Sequence, residues 1–260
     1  MLAPDVAFKA AKASALKALE INADSAEGYT ELGSVLALYE WNWSAAEKES
    51  KRSIQLNPGY ALAHQRYGAH LAQVGRFDEG IAECKIAQQL DPLSLMIGIS
   101  VGEQFYWARR YDEATKEIHR VLEMDSTFVP AHQLMGEIYE QKGMFPEAIS
   151  EFKTVVADSN HNAVYLAALG HAYAISGQRA RSLQILKELR ELSKQKYVSA
   201  YGPAIIFAGL GEKKEAIKQL DEAYKEHSIL LVNSKVDPRL DPLRSDPRFE
   251  SMLRRIGLGL

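Results

Sequence analysis

Small residues recur at one fixed interval through most of this chain: Ala46, Gly80, Ala114, Ala148, Ser182 and Ala216 stand 34 residues apart. A second series, Gly68, Gly102, Gly136 and Gly170, keeps the same step, with Ala204 continuing it and Gly33 one residue out of phase before it. A spacing of 34 is the period of a helix-turn-helix unit, and small residues mark where paired helices approach most closely. An array of such units has no single core and grows along an axis, so the 260 residues count repeats rather than domains.

With each glycine at repeat position 8, six units begin at Ala26, Ala61, Leu95, Val129, Ala163 and Tyr197. Positions 4, 7, 8 and 11, as in His132-Met135-Gly136-Tyr139, then form one stripe of a first helix. Positions 17, 20, 24 and 27, as in Phe77-Gly80-Cys84-Ala87, form the stripe of a second. Gly75, Gly143, Gly177 and Gly211 mark the turns between them. This register divides the chain into an orphan N-terminal helix within residues 1–25, six units over 26–228, and a C-terminal cap over 229–260. The orphan, Phe8 to Ile21, matches a second helix without its partner, so it is either a cap or half of a repeat. The cap carries three Asp-Pro steps, at Asp237, Asp241 and Asp246, and a short helix with the stripe Phe249, Met252, Leu253 and Ile256.

The pattern resembles the tetratricopeptide repeat over about residues 8 to 228. The resemblance implies an all-α fold, a right-handed superhelical solenoid of antiparallel helix pairs, and a role in binding protein rather than in catalysis. Local departures are Gly98 where a large residue is usual, Pro203 inside the first helix of repeat 6, and Arg179 and Lys213 in place of an aromatic at position 17. Pro203 is expected to kink or shorten its helix. Two segments, Tyr39-Glu40-Trp41-Asn42-Trp43 and the tail from Lys235 to Phe249, look like the tetratricopeptide half of bacterial multidomain signalling proteins. That likeness implies a regulatory or assembly role.

The remaining chemistry narrows the function by exclusion. A net charge of −3 offers no broad basic face for phosphate backbones, which argues against nucleic acid. No window approaches the apolar length of a membrane span, and the N-terminus lacks a signal-peptide pattern, so the chain reads as cytoplasmic. The seven histidines show no metal-ligand spacing, and no phosphate loop or nucleophile elbow is present. Cys84 falls on a packing face as an inert thiol. These readings predict no enzyme activity, no metal and no cofactor.

Positions 2, 5, 9 and 12 of each first helix share the face opposite the packing stripe and stack into a concave wall. That wall lacks the lysines and asparagines with which some tetratricopeptide proteins grip a terminal carboxylate, and Arg66 is the nearest cation. Its notable residues are Gln65 in repeat 2, then Met96, Ile99, Glu103, Tyr106 and the adjoining Trp107 in repeat 3. Gln133, Glu137 and Glu140 follow in repeat 4, His171 in repeat 5 and Tyr201 in repeat 6. Carboxylates beside apolar surface favour a protein or peptide partner that brings Lys or Arg together with apolar side chains. The expected function is therefore a non-catalytic module that binds an extended peptide or partner helix on the concave face, in signalling or complex assembly. The alternative is a structural spacer or a self-association element of a larger bacterial signalling protein, in which the N-terminal helix pairs with another copy.

Overall fold

The grid of small residues is what lets the helices of each pair close on one another. Ala114, Ala148, Ser182 and Ala216 are fully buried. A Cβ added at Gly80 would stand 2.8 Å from the Gly68 carbonyl oxygen, closer than any side chain tolerates, so glycine at both positions brings backbone against backbone. Where the grid holds Ser182 instead, its hydroxyl donates to the Gly170 carbonyl at 2.9 Å, and the close approach becomes a hydrogen bond.

The computed structural model describes residues 4–159 and 161–259, and all the regular structure within them is helical. A lone helix α1 (Pro4–Ile21) precedes six antiparallel pairs. These are α2 (Ala26–Leu38) with α3 (Trp43–Leu56), α4 (Ala61–Gln73) with α5 (Phe77–Leu90), and α6 (Leu95–Trp107) with α7 (Tyr111–Met124). They continue with α8 (Val129–Gln141) and α9 (Phe145–Asp158), α10 (Ala163–Ile175) and α11 (Arg179–Leu192), and α12 (Tyr201–Gly209) and α13 (Lys213–Lys225). Each pair packs on the next, giving a helical solenoid. Two 3-10 turns, Ile229–Asn233 and Pro238–Leu243, lead to the closing helix α14 (Pro247–Arg255).

Local chemistry sets the boundaries. Ser25, Ser94 and Asn162 accept backbone N–H bonds at the starts of α2, α6 and α10. Gly75, Gly143, Gly177 and Gly211 take positive φ at the turns inside the pairs. The first helices of five units are 13 residues long, whereas α12 has nine and starts at Tyr201, four residues after the start expected at Tyr197. Pro203 sits in its first turn, the one place a helix accepts it.

His64 and His132, 68 positions apart, repeat one device. Their Nδ1 atoms lie 2.6 Å from Glu83 and Glu151, and their Nε2 atoms lie 3.0 and 2.9 Å from the carbonyl oxygens of Pro58 and Ser126. Each ring thus ties a first helix to its own second helix and to the turn before it. Of the three Asp-Pro steps, two cap as expected: Asp237 accepts from the Arg239 amide and Asp246 from the Arg248 amide, both at 2.9 Å. The middle step lies inside a 3-10 turn, and Asp241 accepts instead from the side chains of Arg109 and Arg244.

The cap covers repeat 6 with Phe249, Met252, Leu253 and Ile256, all buried against the end of the array. It also does more than cover that end. Trp43 Nε1 donates to the Ile256 carbonyl at 2.6 Å, and the Trp41 ring stacks on His227 at 4.8 Å between centroids, so the turn after α2 meets α13 and α14. Repeat 1 and the C-terminal cap are therefore in contact, and the solenoid closes on itself.

Substituting Ala148 tests the register directly. Ala148→Leu forces a branched side chain into a fully buried contact at a cost of about 1 to 3 kcal/mol, which should lower the melting temperature by several degrees. A variant melting within a degree of the parent would contradict the assigned helix pairing.

Candidate functional site

The inner wall of the array carries the acids the sequence singles out, and the tail lies against it. Arg239 Nη1 donates to Glu137 Oε1 at 3.0 Å, while its Nε and Nη2 donate to Asp237 at 3.0 and 2.8 Å. Tyr201 donates its hydroxyl to Asp237 at 2.7 Å. Burial raises the Asp237 carboxyl, but the two-pronged contact with Arg239 outweighs it and holds Asp237 below the usual carboxylate range. Glu137 has a single-pronged contact with Arg239 and a bond from Gln133, and there burial wins and pushes the carboxyl up. Further along, Arg109 donates to Asp241 at 2.9 Å. Arg109 holds φ at 63° in the turn where other repeats place glycine, so a strained backbone presents this guanidinium to the tail.

Two cavities remain between wall and tail. The outer one, about 380 Å³, is lined among others by Arg66, His70, Gln73, Glu103, Trp107 and Ile229. The inner one, about 150 Å³, includes Glu103, Tyr106, Gln133, Glu137, Tyr201 and Arg239. Glu103 and Trp107 line both. Among the described residues Glu103 makes no hydrogen bond or ion pair, and burial, then the charge of Glu137, push its carboxyl up to about 8. The Tyr106 hydroxyl is buried there without a partner. Burial lowers His70, at the wall of the outer cavity, to about 4. The arrangement offers one carboxyl and one phenol able to bond an incoming donor, beside an indole face.

The eleven wall residues do not form one open groove. Ile99, Tyr106, Trp107, Glu137, Glu140, His171 and Tyr201 are buried, which corrects the expectation that they all offer a surface to a peptide. The physical reason is that the chain covers the face itself: Leu231, Val232, Val236, Leu240 and Leu243 of the tail are buried as deeply as the helices. Glu137 answers to Arg239, and Glu140 to His171, whose Nδ1 lies 3.0 Å away. Gln65 bridges α4 to α6 by donating to Ser100 at 2.7 Å, and Gln133 donates to Glu137 at 3.2 Å. Met96 is exposed at the rim, and Glu103 is partly covered. Arg239 and Arg109 are not singled out by the sequence pattern, whereas Asp237 reads there as a helix cap and Trp41 and Trp43 as a family feature, none of them as a contact of the site. Their one visible signal was a cation flanked by Val236 and Leu240 in the tail, the same pattern inferred for a partner.

The overall shape is shared with solved structures. The tetratricopeptide repeat protein from Parabacteroides merdae superposes with a TM-score of 0.64 at 12% identity, covering 96% of this chain and 92% of its own. The fold is that of the tetratricopeptide-repeat proteins. Cut9, in the APC/C hetero-tetramer Cut9-Hcn1, gives a TM-score of 0.66 at 17% identity over 96% of this chain. This chain spans 46% of the Cut9 chain. PilW, a widely conserved type IV pilus biogenesis factor, gives 0.60 at 17% identity over 73% of this chain and 87% of its own. No family model matches the sequence, and no curated protein matches it. Among the described residues no group of three His, Cys, Asp or Glu is placed to hold a metal ion, and no helix is long and apolar enough to cross a membrane. Cys84 is buried, and burial raises its thiol far above the usual range.

The pH dependence of Glu103 follows from its place between the cavities. Unfolded, it ionises near the ordinary value of 4.5, whereas folded it keeps its proton to about pH 8. Folding therefore takes up a proton across that window, and stability falls as pH rises through it. Glu103→Gln should leave stability unchanged at pH ~4 and raise it by roughly 2 to 4 kcal/mol at pH ~8, read from urea unfolding. An equal effect of the substitution at both pH values would refute this assignment.

Proposed function

We propose that this protein is a non-catalytic interaction module that holds an extended polypeptide segment along its concave face, in complex assembly or signalling. The observation that carries the reading is Glu103: an acid without a partner, beside Trp107, at the junction of a 380 Å³ and a 150 Å³ cavity. The chain's own tail supports it by example, since an apolar segment bearing Arg239 already fills the neighbouring stretch of wall through Glu137. A partner segment lies in the outer cavity beside residues 229–233, with a Lys or Arg directed at Glu103 and apolar side chains on Trp107 and the exposed Met96. Complex assembly is in keeping with the settings of two structural neighbours, the Cut9-Hcn1 hetero-tetramer and the pilus biogenesis factor PilW. The likeness of the Trp41–Trp43 and Asp-Pro segments to bacterial signalling proteins supports a cytoplasmic signalling setting.

One observation favours self-association as a second reading. Helix α1 covers α2 with one face and leaves Val6, Leu16 and Ile21 between 45% and 78% exposed on others. Light scattering over a concentration series separates the two: a concentration-dependent mass that Leu16→Glu abolishes favours association through α1.

Binding of a peptide library to the full chain tests the first reading. Selected peptides should combine Lys or Arg with large apolar residues, and affinity should rise from about pH 6 to pH 8, because a bound cation favours ionised Glu103. Glu103→Gln should weaken binding up to about tenfold and flatten that pH dependence. Selection of acidic peptides, or equal binding by the variant, would show that the concave face is not the site.

A further inference from the structure

A further cavity, sharing no lining residue with the two between wall and tail, lies where the 34-residue pattern fails. Helix α11 touches α12 less than any other second helix touches the first helix that follows it. The cause is local: residues 197–200, which begin the first helix in a regular unit, are irregular here, and α12 starts only at Tyr201 with Pro203 in its first turn. The missing turn leaves a groove of about 690 Å³ between α11, α12 and α13.

The groove has an apolar floor and a rim of one sign. Leu183, Leu186, Val198, Pro203 and Phe207 line it, and Leu183 is 43% exposed. Among the described residues its only charged lining groups are Lys187, Arg190 and Lys218, all exposed, and no carboxylate lines it. Among the described residues Lys187 and Arg190 form no ion pair, whereas Lys194 pairs with Glu191 at 2.6 Å and Arg179 with Glu212 at 2.6 Å. Lys218 reaches Glu215 only at 4.0 Å. Glu188, next in sequence to Lys187, faces His161 instead. Leu183, Leu186, Lys187 and Arg190 follow helical spacing, so α11 presents apolar and cationic groups together on one face.

We infer that this groove is a docking surface for an acidic polypeptide segment of a partner protein, one that places large apolar side chains on Leu186 and Phe207 and carboxylates against Lys187, Arg190 and Lys218. Its volume suits a few large side chains of a single segment. The charge preference is the reverse of that at Glu103, so the two faces select different partners, and the inference stands independently of the concave-face reading. Apolar contact supplies most of the affinity, and the cations supply orientation and the choice of partner.

The test uses a short fluorescent amphipathic peptide with leucines on one face and glutamates on the other, and its counterpart with lysines in place of the glutamates. Fluorescence anisotropy with the full chain should show binding of the glutamate peptide that weakens as salt rises, with at least tenfold preference over the lysine peptide. The double variant Lys187→Glu, Arg190→Glu alters exposed positions and should melt like the parent while losing at least tenfold in affinity. Glu103→Gln should leave this binding unchanged. Hydrogen exchange should report protection in α11 and residues 197–207. Absence of binding, equal binding of the lysine peptide, unchanged affinity in the charge-reversed variant, or protection confined to another surface would overturn the proposal. So would a concentration-dependent mass of the protein alone that the double variant abolishes, which would make a second copy the occupant.

Discussion

The guanidinium of Arg239 sits between Asp237, two residues away in the tail, and Glu137, 102 residues away on the inner wall. Three charged groups in a nearly dry site make a contact that is costly to break: removing the cation leaves two buried carboxylates without a counter-charge, a penalty of about 3 to 5 kcal/mol. The wall of repeat 4 is therefore incomplete by itself. Glu137 on α8 needs a positive partner, and the tail supplies one while burying Val236 and Leu240 on either side. An array built from near-neighbour contacts alone would be open along its axis. This one is tied across its middle.

The same logic explains where the backbone is strained. Besides His161, which faces Glu188 on α11, the non-glycine residues at positive φ among the described ones are Arg109, Trp41 and His227, at 63°, 52° and 51°. Each makes a contact that joins distant parts of the chain: Arg109 with Asp241 in the tail, Trp41 and His227 with one another. A left-handed residue with a side chain costs about 1 to 2 kcal/mol, and glycine would remove that cost along with the contact. Most of this strain is thus stored at the closure, where side-chain stacking and ion pairing hold it. The opposite face has the reverse history. A proline in the first turn of α12 shortens one helix and leaves a groove that no intramolecular segment fills.

Most of the array is legible in the sequence because its information is periodic. The 34-residue step places the close contacts at Ala114, Ala148 and Ser182, and the helix pairs from α2 to α11 start where that step puts them. The closure has no such signature. Trp43 and Ile256 are 213 residues apart, and Arg109 and Asp241 are 132 apart, so neither pairing leaves a mark on local pattern. The acids of the inner wall announce a need for positive charge, but a sequence cannot say whether the cation comes from a partner or from the chain's own tail. Glu137 turned out to be answered within the chain and Glu103 was left unanswered, a difference set by the path of residues 229–243 alone.

Hydrogen exchange of the tail tests this account most directly. If the tail closes the array, the amides of Leu231, Val236 and Leu240 exchange as slowly as those of α8 and α10, and Arg239→Met speeds the whole segment together. Exchange of residues 229–243 at the rate of a frayed terminus, with α8 and α10 still protected, would show that the tail does not hold the inner wall.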